Sequence, residues 1–352
     1  MDYDYLIVGQ GIAGSVIGLQ LLEQNKKCLF IDEKIWNSPS RISNGIVNPV
    51  TGQKYVKTWL FDELFQVAKP FYKRLGQLFE VNLYHETSIT KLFSTALEAN
   101  EFDSRIADLK YVDFLESAIP NLDDRLKGAF KGKIKNVFWI NTALLIDETR
   151  KYLRKNNLFI EEILDYSLIK KTDYNRFIYK ENTFNKIIFC EGAKGINNPY
   201  FPNLPFVLAK GELMSVQFNH KFGNEIIQKN GILSPYGNGK FKFGSTNSWT
   251  DLTPNPTYAG KQELINKLEQ ITDLPFEICE HFAAIRPTTK DRRPFLGESE
   301  IEKNIFILNG LGTKGVSLAP YFSNMLIEFM EKRTTILPIV NWNRFEKKSI
   351  KL

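Results

Sequence analysis

Apolar positions along the start of the chain switch spacing twice within a short stretch. Leu6-Ile7-Val8 is a short continuous apolar run, the pattern of a strand covered on both faces. From Ala13 the apolar residues fall at helical spacing, through Val16, Ile17, Leu19, Leu21 and Leu22. Asn25-Lys26-Lys27 is a polar turn, and Cys28-Leu29-Phe30-Ile31 is a second apolar run ending at Asp32. These spacings predict a βαβ unit. Further on, 60–138 mixes helical and strand patterns with many aromatics. Residues 141–156 then read as a helix with Leu144, Leu145, Thr149 and Leu153 on its buried stripe. Strands are expected at Phe159-Ile160, at Ile187–Phe189, and in a β-rich stretch through 213–216, 231–235 and 240–244. Gly237-Asn238-Gly239 supplies a hairpin turn there. Ile305–Leu308 predicts one more strand. A glycine-rich run follows it, then a helix with Pro320 at its first position and Phe322, Met325, Leu326 and Phe329 along it.

The turn inside the βαβ unit carries chemistry. Gly9-Gln10-Gly11-Ile12-Ala13-Gly14 places a glycine at the strand-to-helix turn, a second where backbone must approach a pyrophosphate, and a third where helix and strand must pack closely. Asp32, 18 residues beyond Gly14, stands where an acid accepts hydrogen bonds from an adenosine ribose. A glycine turn alone is a weak signal; here strand, helix and acid surround it. The acid disfavours a ribose 2′-phosphate, which leaves FAD or NAD. Ser40–Pro49 is rich in small and polar residues, and from the residues alone it reads equally as a ligand-facing loop or an ordinary polar one.

Composition narrows the class without changing it. The 352 residues are 43% hydrophobic and 24% charged, ordinary for a soluble protein of roughly two domains. Net charge is +6, but 46 basic and 40 acidic residues are intermixed, with no basic–aromatic stripe of the kind that tracks nucleic acid. Cys28, Cys190 and Cys279 show neither disulfide nor metal spacing, so no metal is expected and a reducing compartment is. No leader is expected ahead of the first strand, and no apolar run is long enough for a membrane span. We therefore expect a cytoplasmic protein. Of His85, His220 and His281, only His281, five residues before Arg286, is near a motif, and a lone histidine is more often structural.

Taken in order, these segments resemble the FAD-dependent oxidoreductases that include D-amino-acid oxidase, glycine oxidase and sarcosine oxidase. The resemblance covers most of the chain. It rests on Gly9–Gly14 with Asp32, Ser43-Asn44-Gly45-Ile46-Val47-Asn48-Pro49, Cys190-Glu191-Gly192-Ala193 and Lys210-Gly211-Glu212. It continues through Ser234-Pro235-Tyr236 with Phe243–Thr246, Ile285-Arg286-Pro287-Thr288 with Asp291 and Pro294, and Gly310–Val316. It implies an α/β fold: a Rossmann-type FAD-binding domain formed by 1–75, 140–210 and 280–352, interleaved with a second α+β domain on an antiparallel sheet, the substrate domain, formed by 76–139 and 211–279.

The resemblance implies non-covalent FAD, since the place of the flavin-linking cysteine of some members falls near Ala284. It implies cofactor contacts from Gly9, Gly11, Ile12, Ala13, Gly14, Asp32, Glu33, Lys34, Ser43, Asn44, Gly45, Ile46, Val47, Gly192, Arg286, Gly310, Gly312, Thr313, Lys314, Gly315 and Val316. Arg286 is the candidate catalytic residue. Together with Tyr236 and Asn48 it would bind a small amine or amino acid, because a guanidinium grips a carboxylate through two parallel hydrogen bonds. The expected reaction is oxidation of a C–N bond, with oxygen or another acceptor reoxidising the flavin. Two alternatives stay open: a flavoprotein acting in tRNA modification, and an FAD-binding subunit silent by itself. Glu191 departs from the family pattern, which has a small residue there.

Overall fold

A computed structural model of the chain describes residues 1–33, 37–52, 54–219, 222–237, 239–332 and 334–345. The chain divides into two compact units, each assembled from separated segments. The first comprises Met1–Arg41, Ala143–Ala209 and Ile285–Leu352, and the second Ile42–Thr142 and Lys210–Ala284. Besides short stretches at the joins, 140–142 and 280–284, one longer segment clusters differently from expectation. Residues 42–75, read with the first domain, cluster with the second, because Ile46–Val47 pairs with the strand Phe130–Ile140 and so ties that stretch to the second unit's sheet.

The first unit is built on parallel strands in the order Phe159–Glu161, Cys28–Asp32, Asp2–Val8, Asn182–Phe189, Ile305–Asn309. Ile7 sits opposite Phe30 on one side and Ile188 on the other, and Ile188 opposite Phe306. These runs are apolar throughout because helices cover both faces of such a sheet. Phe177–Tyr179 and Phe295–Glu298 add antiparallel strands. One core gathers Leu6, Val8, Leu29, Ile31, Phe184, Ile187, Phe189, Ile305 and Trp342. The helices Ile12–Glu23 and Gly315–Lys332 pack together, and Gln20 donates to the carbonyl of Pro320 at 3.1 Å.

Two sequence expectations for helices meet different fates. The helix expected over 141–156 runs over Thr142–Lys155, with Leu145, Ile146, Thr149 and Leu153 buried; Leu144, expected on that stripe, is half-buried, and Ile146 takes its place. The C-terminal helix starts at Gly315, not Pro320, so the proline lies inside it. The expected glycine-rich turn, with Gly310 at φ +71° and Gly312 at φ +54°, leads directly into the helix at Gly315.

The second unit is a sheet in the order Phe276–Arg286, Ala209–Phe218, Lys240–Gly244, Ile232–Gly237, Ile226–Gln228, Tyr84–Phe93, Phe130–Ile140, Ile46–Val47, with Leu115–Pro120 also on Phe130–Ile140. The expected antiparallel sheet includes a parallel pairing, Ile226–Gln228 with Tyr84–Phe93. The helix Tyr258–Glu269 covers one face through Leu264 and Leu268, packed with Met214, Val216, Leu233 and Phe243. Asn238, in the expected hairpin turn, lies outside the described residues; the strands it joins do pair, Ile232–Gly237 with Lys240–Gly244.

Candidate cofactor and substrate sites

The glycine turn of the first unit is shaped by two close approaches. Gly9 takes φ +94°, and a Cβ on it would lie 2.5 Å from the carbonyl oxygen of Cys190. A Cβ on Gly14 would fall inside the carbonyl oxygen of Gly9 and stand 3.0 Å from its carbon. Gly11 is different: its backbone is extended, and among the described residues a Cβ there would meet only Ser40 within 4 Å. The turn is thus closed beneath Gly9 and Gly14 and open above Gly11. Gly11 is the N-cap of Ile12–Glu23 and, having no side chain, provides no cap of its own. The first-turn N–H groups therefore face out of the helix end, and that of Ile12 is met by Ser40 Oγ at 2.9 Å. This open, positively polarised cradle fits a pyrophosphate.

Asp32 closes the strand Cys28–Asp32. Arg150, from the helix Thr142–Lys155, donates to Asp32 Oδ2 at 2.8 Å and to Gln10 Oε1 at 2.7 Å. Burial pushes the Asp32 carboxyl above its ordinary range; Arg150 and the Gln10 backbone N–H oppose that. Glu33 pairs with Lys194, and Lys34 lies outside the described residues. Gly192 takes φ +60°, and a Cβ there would meet nothing within 4 Å among the described residues.

The second glycine run joins this cradle. A Cβ on Gly315 would lie 2.9 Å from Ile12 Cγ2, so the N-termini of Ile12–Glu23 and Gly315–Lys332 converge. The Arg286 segment lies against the same run. Gly312 N–H donates to Pro287 O at 3.2 Å, and a Cβ on Gly310 would meet Thr289 Cγ2 at 2.6 Å. The segment is anchored from its other side, where Val207 N–H donates to Thr288 O at 2.7 Å. Burial depresses the Arg286 guanidinium, which stays protonated in the neutral range. Lys314, between Thr313 and Gly315 in the run, is pulled down to about 8 by burial and then by the charges of Arg293 and Arg292. Asp291 is held by Arg344 through two bonds of 2.8 Å, so this motif acid braces the turn.

In the second unit the segment Ser43–Asn48 is pinned at several points. Ser43 Oγ donates to Thr142 Oγ1 at 3.1 Å, and Ile140 N–H to Gly45 O at 3.1 Å. Gly45 at φ +66° has no room for a Cβ beside Ile140 O. Ile46 and Val47 form their short strand, and Asn48 Nδ2 donates to Val50 O at 3.0 Å. Asn44 Oδ1 is a buried acceptor with no hydrogen-bond partner among the described residues, an opening for a donor from a ligand. Lys242, 2% exposed, donates to Ser43 O at 3.2 Å while its Nζ stands 4.0 Å over the ring of Tyr236. That lysine links two sequence-predicted groups, the Ser43 loop and Tyr236.

Sequence reasoning passed over Arg150, Gln10, Ser40 and Lys242. Gln10 and Ser40 sat inside noted segments, whereas an arginine on a helix and a lysine on a strand carry no local signal of a buried partner. His281 lies 2.9 Å from Glu212, a carboxylate that also holds Thr257; burial lowers the imidazole's proton affinity and Glu212 raises it. His85 stacks on Trp139 at 4.0 Å, and His220 lies outside the described residues. Cys190 is buried, which pushes its thiol far up. Among the described residues no helix is long and apolar enough to cross a membrane, and no group of acidic, histidine and cysteine side chains could hold a metal ion.

A family model described as FAD dependent oxidoreductase, DAO, matches residues 4–329. The chain belongs to this family. It is an FAD-dependent oxidoreductase, and the cradle with its two converging helix ends suits that cofactor. A glycine oxidase from Bacillus licheniformis is 21% identical over 93% of this chain and 93% of that protein. The bifunctional protein MnmC of tRNA 5-methylaminomethyl-2-thiouridine biosynthesis, from Marinobacter nauticus, is 20% identical over 92% of this chain, which spans 54% of its length. Among solved structures, glycine oxidase from Geobacillus kaustophilus superposes with a TM-score of 0.76 at 18% identity, covering 95% of this chain and 96% of that one. Iminodiacetate oxidase from Chelativorans sp. BNC1 does so at 0.79 and 16%, covering 95% and 97%. These two likenesses show the fold.

Proposed function

We propose that the protein oxidises the C–N bond of a small, carboxylate-bearing amine or amino acid, with FAD held non-covalently. The observation that carries this reading is the hydrogen bond from Gly312 N–H to Pro287 O. It holds the Arg286 segment against the glycine run that begins the helix Gly315–Lys332. On this reading the first unit binds FAD and the second supplies the substrate side. Gly9, Gly11, Ile12, Ala13 and Gly14 receive the pyrophosphate. Asp32, followed by Glu33 and Lys34, serves the adenosine, with Gly192 alongside. Ser43, Asn44, Gly45, Ile46 and Val47 flank the flavin, and Gly310, Gly312, Thr313, Lys314, Gly315 and Val316 face its pyrimidine side.

Bound FAD supplies the two-electron acceptor. The chain's own work is orientation and electrostatics. Arg286 grips the substrate carboxylate with a planar pair of donors, which fixes direction as well as place. Tyr236 and Asn48 are assigned to the substrate. Lys314 and the helix N-terminus stabilise the negative charge that develops as electrons arrive. The glycine oxidase and iminodiacetate oxidase relatives act on substrates of this class by their names.

Anaerobic addition of D- and L-amino acids, glycine, sarcosine and other N-alkyl amines to the purified holoprotein tests the proposal. At least one carboxylated amine is expected to bleach the flavin absorbance. A protein that none of them bleaches and that shows no salt-sensitive tRNA binding is the silent subunit instead. The MnmC likeness favours a second reading, action on a tRNA-borne amine. Salt-sensitive tRNA binding with no bleaching by free amino acids would support it over the first.

A further inference from the structure

We infer that Arg150 is the positioning residue for the adenosine half of the FAD site: it ties the Asp32 carboxylate and the middle of the glycine turn, Gln10, into one hydrogen-bonded unit. This rests on the reading of Asp32 as the ribose acid. Arg150 reaches across from the helix Thr142–Lys155 with a side chain only 15% exposed. Its Nε donates to Gln10 Oε1 at 2.7 Å, and one terminal nitrogen donates to Asp32 Oδ2 at 2.8 Å and Glu33 O at 3.2 Å. The ring of Phe159 lies 4.9 Å from its guanidinium carbon and supports the plane.

Gln10 extends the connection. It is 1% exposed, and its Nε2 donates to Ser15 Oγ at 2.9 Å and to Ile146 O at 3.1 Å. A continuous set of bonds therefore runs from the first turn of Ile12–Glu23, through Gln10 and Arg150, to the end of Cys28–Asp32. A salt bridge that merely fastened a helix to a sheet would have no use for the arm on the glycine turn. The two arms leave one planar group in a fixed relation, which arginine provides and lysine does not. A carboxylate has about four lone-pair sites, so Arg150 and the Gln10 backbone leave acceptor capacity for ribose hydroxyls. Burial works against the Asp32 charge, and the adjacent guanidinium opposes that effect.

The test is the rate of FAD release from holoprotein, followed by the rise of free-FAD fluorescence on dilution. Arg150→Met is expected to release FAD about tenfold faster or more, as loss of a charge-assisted bond implies. Arg150→Lys keeps the charge but one arm at most, and its rate should fall between the two, roughly threefold above wild type. Asp32→Ala should also release faster. The double variant Asp32→Ala/Arg150→Met should fall well short of the product of the single effects, because both act on one contact. A helix-fastening role would lower the melting temperature in saturating FAD and leave the release rates alone. Wild-type release from Arg150→Met, or single effects that multiply, overturns the inference. Wild-type release from Asp32→Ala overturns the ribose-acid reading itself. Where Arg150→Met does not fold, wild-type release from Arg150→Lys overturns the inference.

Discussion

Gly11 and Gly14 stand three residues apart in one turn, yet a methyl group added to each should fail in opposite ways. At Gly14 the new Cβ would fall inside the Gly9 carbonyl oxygen, with the Gly9 carbon at 3.0 Å and Cys190 Cβ at 3.4 Å. None of these is the far end of a flexible side chain. The helix must move off the strand, and overpacking of this kind costs about 1–3 kcal/mol, at the upper end where backbone meets backbone. At Gly11 a Cβ would find, among the described residues, only Ser40 Oγ at 3.1 Å and Ser40 Cβ at 4.0 Å, and its φ of −76° suits alanine. The fold should accept that change within about 0.5 kcal/mol. The methyl group would instead occupy the space through which a pyrophosphate approaches the backbone. Gly11→Ala is therefore expected to melt near wild type once stripped of flavin, yet to purify with little FAD. Gly14→Ala should lose several degrees in its melting temperature, whatever its flavin content. Thermal melts of flavin-free protein, beside absorbance of the flavin released on denaturation, read both quantities. Full flavin in Gly11→Ala would remove the pyrophosphate from this turn, and an unaltered melt for Gly14→Ala would refute the packing argument.

Three further outcomes follow from the structure. Acid precipitation of the protein should leave all of its flavin in the supernatant as FAD; yellow colour retained in the pellet would refute non-covalent binding. Arg286→Lys should keep FAD and lose turnover of a carboxylated amine by about a hundredfold, since misplacement near 1 Å costs that much. Turnover of an uncarboxylated amine, where accepted, should be spared, whereas equal losses with a lower melting temperature would make Arg286 structural. Glu331 accepts hydrogen bonds from Lys186, Lys26 and Tyr5, and although burial pushes its carboxyl up, these partners hold it down to about 2. Because its native value lies below its unfolded one, the stability it contributes is complete above about pH 4.5 and is lost as pH falls toward 2. Glu331→Gln should show a flatter decline of stability across that window; an identical acid-unfolding curve would show the cluster to be inert.

Much of the first unit was legible in the chain itself. Strand, glycine turn, helix and acid are contiguous there, and glycine positions are dictated by local geometry: Gly9 must reach φ +94° and Gly14 must admit the Gly9 carbonyl. The order of distant motifs then identified the family. The start of the C-terminal helix was misread because Pro320 is a local signal, whereas the turn at Gly310 and Gly312 forms against Thr289 and Pro287, which are remote in sequence. The clustering of 42–75 with the second unit was not legible for a related reason: a two-residue strand, Ile46–Val47, carries no periodicity, and only its pairing with Phe138 and Trp139 ties it there. Tertiary structure alone decided the partners of buried charge. Asp32 could be placed at the end of its strand from sequence, but the guanidinium beside it comes from residue 150, and the carbonyl beneath Lys242 comes from residue 43. Hydrophobic spacing records which face of an element is covered. It holds no record of which distant side chain meets a buried polar atom, because that pairing depends on how segments far apart in the chain are brought side by side.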